Sequence, residues 1–272
     1  MSFGVPLGIA GVGLIGGSIA LRAREAGIEV IGFDRDAQCA ALLDRRADSL
    51  AALADRCRTI VLALPLDATL DAIASLRDRR NGQVTLVLDV ASVKVPIALA
   101  AAGWQIFVPT HPIAGAEQSG PSAARSDLFV DRVWTYVATD RSRDDAVRAF
   151  IEGMGARPLP VDAAEHDRVL ALTSHLPQVV ACALAAMLAE RELPSSLAGP
   201  GLASTLRLAG SPWGLWEPIL RANSAAVALG LRELAQRLQG VADDLEGGTL
   251  QRTASYFRSA GAGFDTFVKP WQ

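Results

Sequence analysis

The sequence predicts an α/β protein, with an N-terminal, doubly wound parallel sheet of Rossmann type and a C-terminal all-helical domain. Three observations predict the two halves. Short apolar runs alternate with helical text as far as residue 161. A glycine-rich turn, Gly11-Val12-Gly13-Leu14-Ile15-Gly16, joins the first of these runs to the first helix. After Asp162 no further β-run follows, and Ala- and Leu-rich helical text continues to the end. The boundary is placed at Asp162, giving a dinucleotide-binding domain of residues 1–162 and a helical domain of residues 163–272.

The elements follow in order. Leu7-Gly8-Ile9-Ala10 is a buried strand that leads into the glycines. Residues 15–26 form a helix with Arg22, Arg24 and Glu25 on its wet face, and Gly27 suits its C-terminal turn. Residues 29–34 are the next strand, and residues 37–46 read as a helix. Residues 59–64 are a strand stopped by Pro65, with Asp67 placed to cap the helix after it. Residues 84–90 are rich in Val and Leu without polar alternation, as a parallel strand covered on both faces requires. Further strands are expected at 106–108, 133–138 and 157–161, with a helix at 144–154. Residues 165–190 read as one long helix interrupted at most by Pro177. Residues 227–245 form an amphipathic helix.

Half of the 272 residues are apolar, enough for a sizeable core, and the net charge is -3. With no basic block or stripe, nothing electrostatic points to a nucleic acid or an anionic membrane as partner. Cys39, Cys57 and Cys182 are irregularly spaced and make neither a disulfide framework nor a Cys-x-x-Cys metal site, so no metal is expected. A reducing, cytoplasmic compartment follows from that cysteine usage. Apolar stretches are broken by Gly, Pro or charge, and no transmembrane span or cleavable leader is expected.

Each glycine of the turn has its own physical task. Gly11 permits the tight turn, Gly13 lets the backbone approach a pyrophosphate, and Gly16 lets helix and strand pack closely. The N–H groups at the helix start, at Leu14 and Ile15, then face the phosphates. Asp34 closes the second strand 18 residues after Gly16. A carboxylate there accepts hydrogen bonds from ribose hydroxyls and repels a 2′-phosphate, which favours NAD. Arg35 follows immediately and keeps NADP open.

The chain holds three histidines. His111, in Thr110-His111-Pro112, is placed in a loop just beyond a strand, where ligands bind in open α/β sheets, and suits a general base. Ser92 occupies the analogous position one unit earlier. His166 and His175 lie nine residues apart on the long helix, a poor spacing for a shared face. His166, among charged neighbours, is read as structural or solvated. His175 sits where Pro177 disturbs the helix, and faces either a site or the core. Arg207, in an apolar run, suits a carboxylate clamp or a snorkelling residue.

Together these runs resemble the prephenate and arogenate dehydrogenases, the TyrA family of tyrosine biosynthesis. The resemblance rests on the glycine turn, Asp89-Val90-Ala91-Ser92-Val93-Lys94, Thr110-His111-Pro112-Ile113-Ala114-Gly115-Ala116-Glu117-Gln118-Ser119-Gly120, His166-Asp167, Ser174-His175-Leu176-Pro177, and Leu206-Arg207-Leu208-Ala209 with Trp216 and Asn223. It implies hydride transfer from C4 of a cyclohexadienol to NAD, loss of CO2 and aromatisation. It implies His111 as acceptor of the 4-hydroxyl proton and Ser92 as its hydrogen-bonding helper. It also implies Arg207 as carboxylate anchor, His175 near the substrate, Glu117 at the site entrance and a homodimer through the helical domain. Gln178 stands where the family often has a second histidine, and Leu206 where it often has Thr, both at the expected substrate site. These departures leave prephenate, arogenate or an amino-substituted analogue open. No mutase segment before the glycine turn and no ACT domain after the helices is expected. A 3-hydroxy-acid dehydrogenase would need a lysine in the second domain, and Lys269 alone stands beyond Asp162. A non-catalytic NAD sensor would not need Ser92, His111, His175 and Arg207 together.

Overall fold

The computed structural model describes residues 4–79, 83–115, 118 and 120–268. The first part of the chain runs β1 (Leu7–Ala10), α1 (Leu14–Glu25), β2 (Val30–Phe33), β3 (Arg45–Arg46), α2 (Leu50–Ala54), β4 (Thr59–Leu62), α3 (Leu66–Arg77), β5 (Leu86–Asp89), α4 (Val95–Ala100) and β6 (Phe107–Val108). Its strands form one parallel sheet in the order β3-β2-β1-β4-β5-β6. The order reverses between β1 and β4, and in such sheets the crevice beyond the carboxyl ends at that point takes the ligand.

β1, β4 and β5 are buried along their whole length. Their lack of polar alternation has that cause, since each face of the sheet is covered. One face packs Ile9, Ile19 and Leu88 against Phe129, Trp134 and Phe150. The other packs Ile60 and Val87 against Leu53, Leu66, Ile73 and Ile97.

The chain then leaves the parallel sheet. β7 (Thr110–Pro112), β8 (Val133–Val137) and β9 (Arg157–Val161) form a second sheet, with α5 (Arg141–Gly153) between its last two strands. β7 and β8 are antiparallel, β8 and β9 parallel. His111 is therefore on a strand, opposite Thr135, and not in a loop as expected.

Two further expectations are corrected. Residues 37–46 are not one helix but a 3-10 turn (Ala37–Leu42) followed by β3. The Asp44 carboxylate accepts the Val30 N–H at 2.9 Å, and the Ala47 N–H donates to the Gly32 carbonyl, drawing the segment onto β2. Asp67 caps no helix. It pairs instead with Arg221 at 2.8 Å, tying α3 to the helical half.

That half comprises α6 (Ala163–Leu170), a π-helical turn (Ala171–His175), α7 (Leu176–Ala189), α8 (Pro200–Leu206), α9 (Trp213–Ala222), α10 (Ser224–Gly247) and α11 (Gln251–Phe267). Asp162 caps α6, its carboxylate accepting the Ala164 and Glu165 N–H groups at 2.9 and 3.0 Å. The π turn lies just before Pro177. Proline offers no N–H to the carbonyl four residues back and clashes with it, and a widened turn relieves both. The helical run from 163 to 189 is long and apolar enough, by length and composition, to cross a membrane, which the sequence reading did not expect. In the fold it carries His166, Asp167, His175 and Gln178 into buried polar contacts.

Candidate active site

The glycine turn meets the demands expected of it. Gly11 has φ +86°, and a Cβ there would overlap the Ala63 carbonyl of β4's end. A Cβ on Gly16 would overlap the Gly11 carbonyl oxygen. A Cβ on Gly13 would meet nothing within 4 Å, so the backbone lies open to an incoming group. No side chain caps α1, whose first turn begins at Leu14 and Ile15. Asp34 accepts the Val12 N–H at 2.6 Å through Oδ2 and the Asp36 N–H at 2.8 Å through Oδ1. The acid thus fastens the glycine turn to the end of β2. A cavity of about 560 Å³ opens beside it, lined by Gly11, Gly13, Phe33, Asp34, Arg35 and Leu64 among others. That is a normal size for a small-molecule site. These residues fit the adenosine and pyrophosphate parts of a dinucleotide.

At the far end of the crevice a buried ion pair shapes the turn that carries Ser92. The Lys94 ammonium contacts the Asp89 carboxylate and donates to the Thr110 carbonyl at 2.6 Å. Asp89 in turn accepts the Ala91 and Thr110 N–H groups, each at 2.9 Å. Both charged side chains are fully buried. Burial pushes the Lys94 pKa down, and the Asp89 carboxylate opposes it. The pair closes the loop around half-buried Ser92 and fixes Thr110, the residue before His111.

His111 Nδ1 lies 2.9 Å from His166 Nε2, and His166 Nδ1 lies 2.8 Å from Asp167 Oδ1. Asp167 also accepts the Lys94 N–H at 2.6 Å and the Val95 N–H at 2.9 Å, at the start of α4. Burial raises the Asp167 pKa, but the hydrogen bonds from His166, Val95 and Lys94 outweigh it and leave it lowered. An ionised carboxylate only accepts, so His166 carries its proton on Nδ1 and accepts through Nε2. His111 then donates through Nδ1, and its Nε2 is left with a lone pair. His166 is thus structural and not solvated. It is a buried link between Asp167 and His111.

His175 is fully buried. Its Nδ1 lies 3.3 Å from Asn223 Nδ2, and its ring meets that of Trp216 edge to face at 5.9 Å. In a regular α-helix, nine residues place two side chains roughly 180° apart. The π turn inserts one residue, and the effective spacing of eight brings His175 to about 80° from His166, on the same flank. Gln178 is buried, and its amide nitrogen donates to the Leu208 carbonyl at 2.8 Å. It supports the 3-10 turn (Arg207–Gly210) that Arg207 begins on the exposed side of the chain. Glu117 lies outside the described residues.

Desolvation, followed by the repulsion of His166, Lys94 and His175, pushes the His111 pKa well below the ordinary 6.5. Desolvation likewise lowers His175 to about 4, with Asp167 opposing and His166 assisting. The unfolded chain, with ordinary histidines, binds more protons than the native one below about pH 6.5. These two groups contribute their full stability above that value and lose it progressively as pH falls below it toward their lowered folded values. The denaturant midpoint is expected to be lower at pH 5 than at pH 7, and equal midpoints would contradict their neutral burial.

Comparison with known proteins decides the family. Residues 18–159 match the prephenate dehydrogenase nucleotide-binding domain, and residues 162–259 the prephenate dehydrogenase dimerization domain. The chain belongs to the prephenate dehydrogenase family. As a member it is an NAD-dependent oxidoreductase. The prephenate dehydrogenase of Bacillus subtilis is 29% identical over 93% of this chain and 73% of that protein. The crystal structure of Synechocystis arogenate dehydrogenase is 27% identical, covers 96% of this chain and 99% of that one, and superposes with a TM-score of 0.80. Prephenate dehydrogenase from Aquifex aeolicus, solved with hydroxyphenyl propionate and NAD+, shares the fold at 23% identity, with a TM-score of 0.87 and coverage of 97% and 98%. Within this family framework, sequence reasoning missed Lys94, Asp167 and Asn223 as individual contributors. A lysine inside the apolar text after β5 was the available signal for the first.

Proposed function

We propose that the chain oxidises and decarboxylates prephenate, arogenate or both, with His111 as general base. The lone pair on His111 Nε2, fixed by the Asp167–His166 link, carries this reading. Bound NAD supplies the hydride acceptor. His111 takes the 4-hydroxyl proton as hydride leaves C4. The C1–carboxylate bond then breaks, its electron pair aromatises the ring, and His111 returns the proton to the oxygen. No net proton is released. Ser92 hydrogen-bonds the same hydroxyl, Arg207 anchors a substrate carboxylate, and His175, Gln178 and Glu117 complete the substrate side. Gly13, Leu14 and Ile15 receive the pyrophosphate, in a cofactor turn that Gly11 and Gly16 shape. Asp34 receives the ribose hydroxyls and disfavours a 2′-phosphate, against the attraction of Arg35.

The boundary at Asp162 belongs to the same reading, and the start of α6 at Ala163 supports it. So does a cytoplasmic homodimer. The helical half leaves Leu197, Trp213, Leu229, Phe257 and Phe267 more than half exposed, and it matches a dimerization domain. Names of relatives cover both prephenate and arogenate.

The test is a spectrophotometric assay of both acids, each with NAD and with NADP. Reduced cofactor forms with at least one acid, faster with NAD. No reduced cofactor with either acid would overturn the reading.

A further inference from the structure

The tautomer of His175 can be derived from its neighbours. Asn223 Nδ2 lies 2.7 Å from the Asp167 carbonyl oxygen. A carbonyl oxygen only accepts, so the amide nitrogen must face it, and the orientation of the Asn223 amide is settled. The second N–H of that nitrogen points to His175 Nδ1 at 3.3 Å. Nδ1 is therefore the accepting nitrogen, and the neutral ring carries its proton on Nε2. This Nε2 is buried and has no hydrogen-bond partner among the described residues. Neither has the buried indole nitrogen of Trp216, whose ring is in contact with that of His175. Two neutral donors on adjoining rings are left to find an acceptor, and buried donors are costly to leave without one.

We propose that Asn223 is a positioning residue that locks His175 as a neutral Nε2–H donor, and that this N–H, with the Trp216 indole N–H, receives a carboxylate or carbonyl oxygen of the substrate. The inference rests on the dehydrogenase reading above and assigns a polarity to one wall of that site. The two histidines then act in opposite senses. His111 presents a lone pair to a hydroxyl proton, and His175 presents a proton to an oxygen. An ammonium group would find no acceptor at His175. The groups around His175 are Asp167 and His166 on its own helical run, His111 from β7, Trp216 from α9 and Asn223 at the start of α10. Desolvation keeps the ring neutral down to about pH 4, so the donor persists without becoming a cation.

The test uses the full chain with prephenate and NAD. Asn223→Leu frees the tautomer, and KM for prephenate is expected to rise about 10-fold, the upper range for one neutral hydrogen bond, with kcat falling much less. His175→Gln places an amide N–H near the position of Nε2 without a tautomer to choose. Adding Asn223→Leu to His175→Gln should then change KM by less than about twofold. An equal KM cost in both backgrounds would show a merely structural role and overturn the proposal. Nitrogen-15 NMR of histidine-labelled protein without substrate gives a second readout. His175 should show an unprotonated Nδ1 and a protonated Nε2, and Asn223→Leu should mix the two forms. A protonated Nδ1 in the unaltered protein overturns the proposal. Failure of the unaltered protein to turn over either prephenate or arogenate would overturn the dehydrogenase reading instead, and the NMR result would still judge the tautomer.

Discussion

His111→Asn is expected to lower kcat about 10²–10⁴-fold while leaving NAD affinity nearly unchanged. Asparagine keeps a polar group on β7 but offers no basic nitrogen to the substrate hydroxyl. Aromatisation and loss of CO2 make the reaction strongly downhill, so the chain must mainly orient the substrate and handle one proton. The loss should therefore appear in kcat and kcat/KM alike. Cofactor titration by fluorescence separates the two effects, since the glycine turn and Asp34 belong to elements other than β7. Unchanged turnover in His111→Asn would remove His111 from the chemistry.

Lys94→Met is expected to cost about 3–5 kcal/mol of stability, because it leaves the Asp89 carboxylate buried without its cation. Urea unfolding at pH 7 measures it. The methionine preserves most of the side-chain volume, so cavity formation adds little. A change below about 1 kcal/mol would mean that the N–H groups of Ala91 and Thr110 suffice to hold Asp89. A second consequence separates charge from packing. Lys94 is one of the groups that disfavour a proton on His111. In whatever folded Lys94→Met remains, the acid limb of kcat/KM should move to higher pH.

The parallel sheet was legible because β1, β4 and β5 are covered on both faces and so carry unbroken apolar text. The glycine turn was legible because backbone geometry restricts Gly11 and Gly16, and Asp34 because a carboxylate closes the second strand at a set distance from them. β3 was not, since it is two exposed arginines held by the pairing of Asp44 with Val30, a contact between residues 14 apart in sequence. His111 is expected in a loop, and the strand that carries it was not legible. β7 pairs with β8 across a separation of more than twenty residues, and three residues give no periodicity. His166 is expected to be structural or solvated, and its burial removes the second alternative. Its neighbours in sequence are charged, whereas its neighbours in space are His111 and Asp167, and the helical count assumed a regular α-helix. Asn223 acts through a carbonyl and a ring nitrogen of another helical run, which no local pattern records.

The π turn at Ala171–His175 bears on how such a wall arises in descent. A helix absorbs one added residue by widening a single turn, and everything beyond it swings by about 100°. One inserted codon thus carries a whole downstream face, here His175 and Gln178 together, around to a new bearing. Point substitutions would have to rebuild that face one position at a time. Deleting the same codon would return a regular α-helical turn, with Pro177 set against the carbonyl four residues back and its histidine turned away from Asn223.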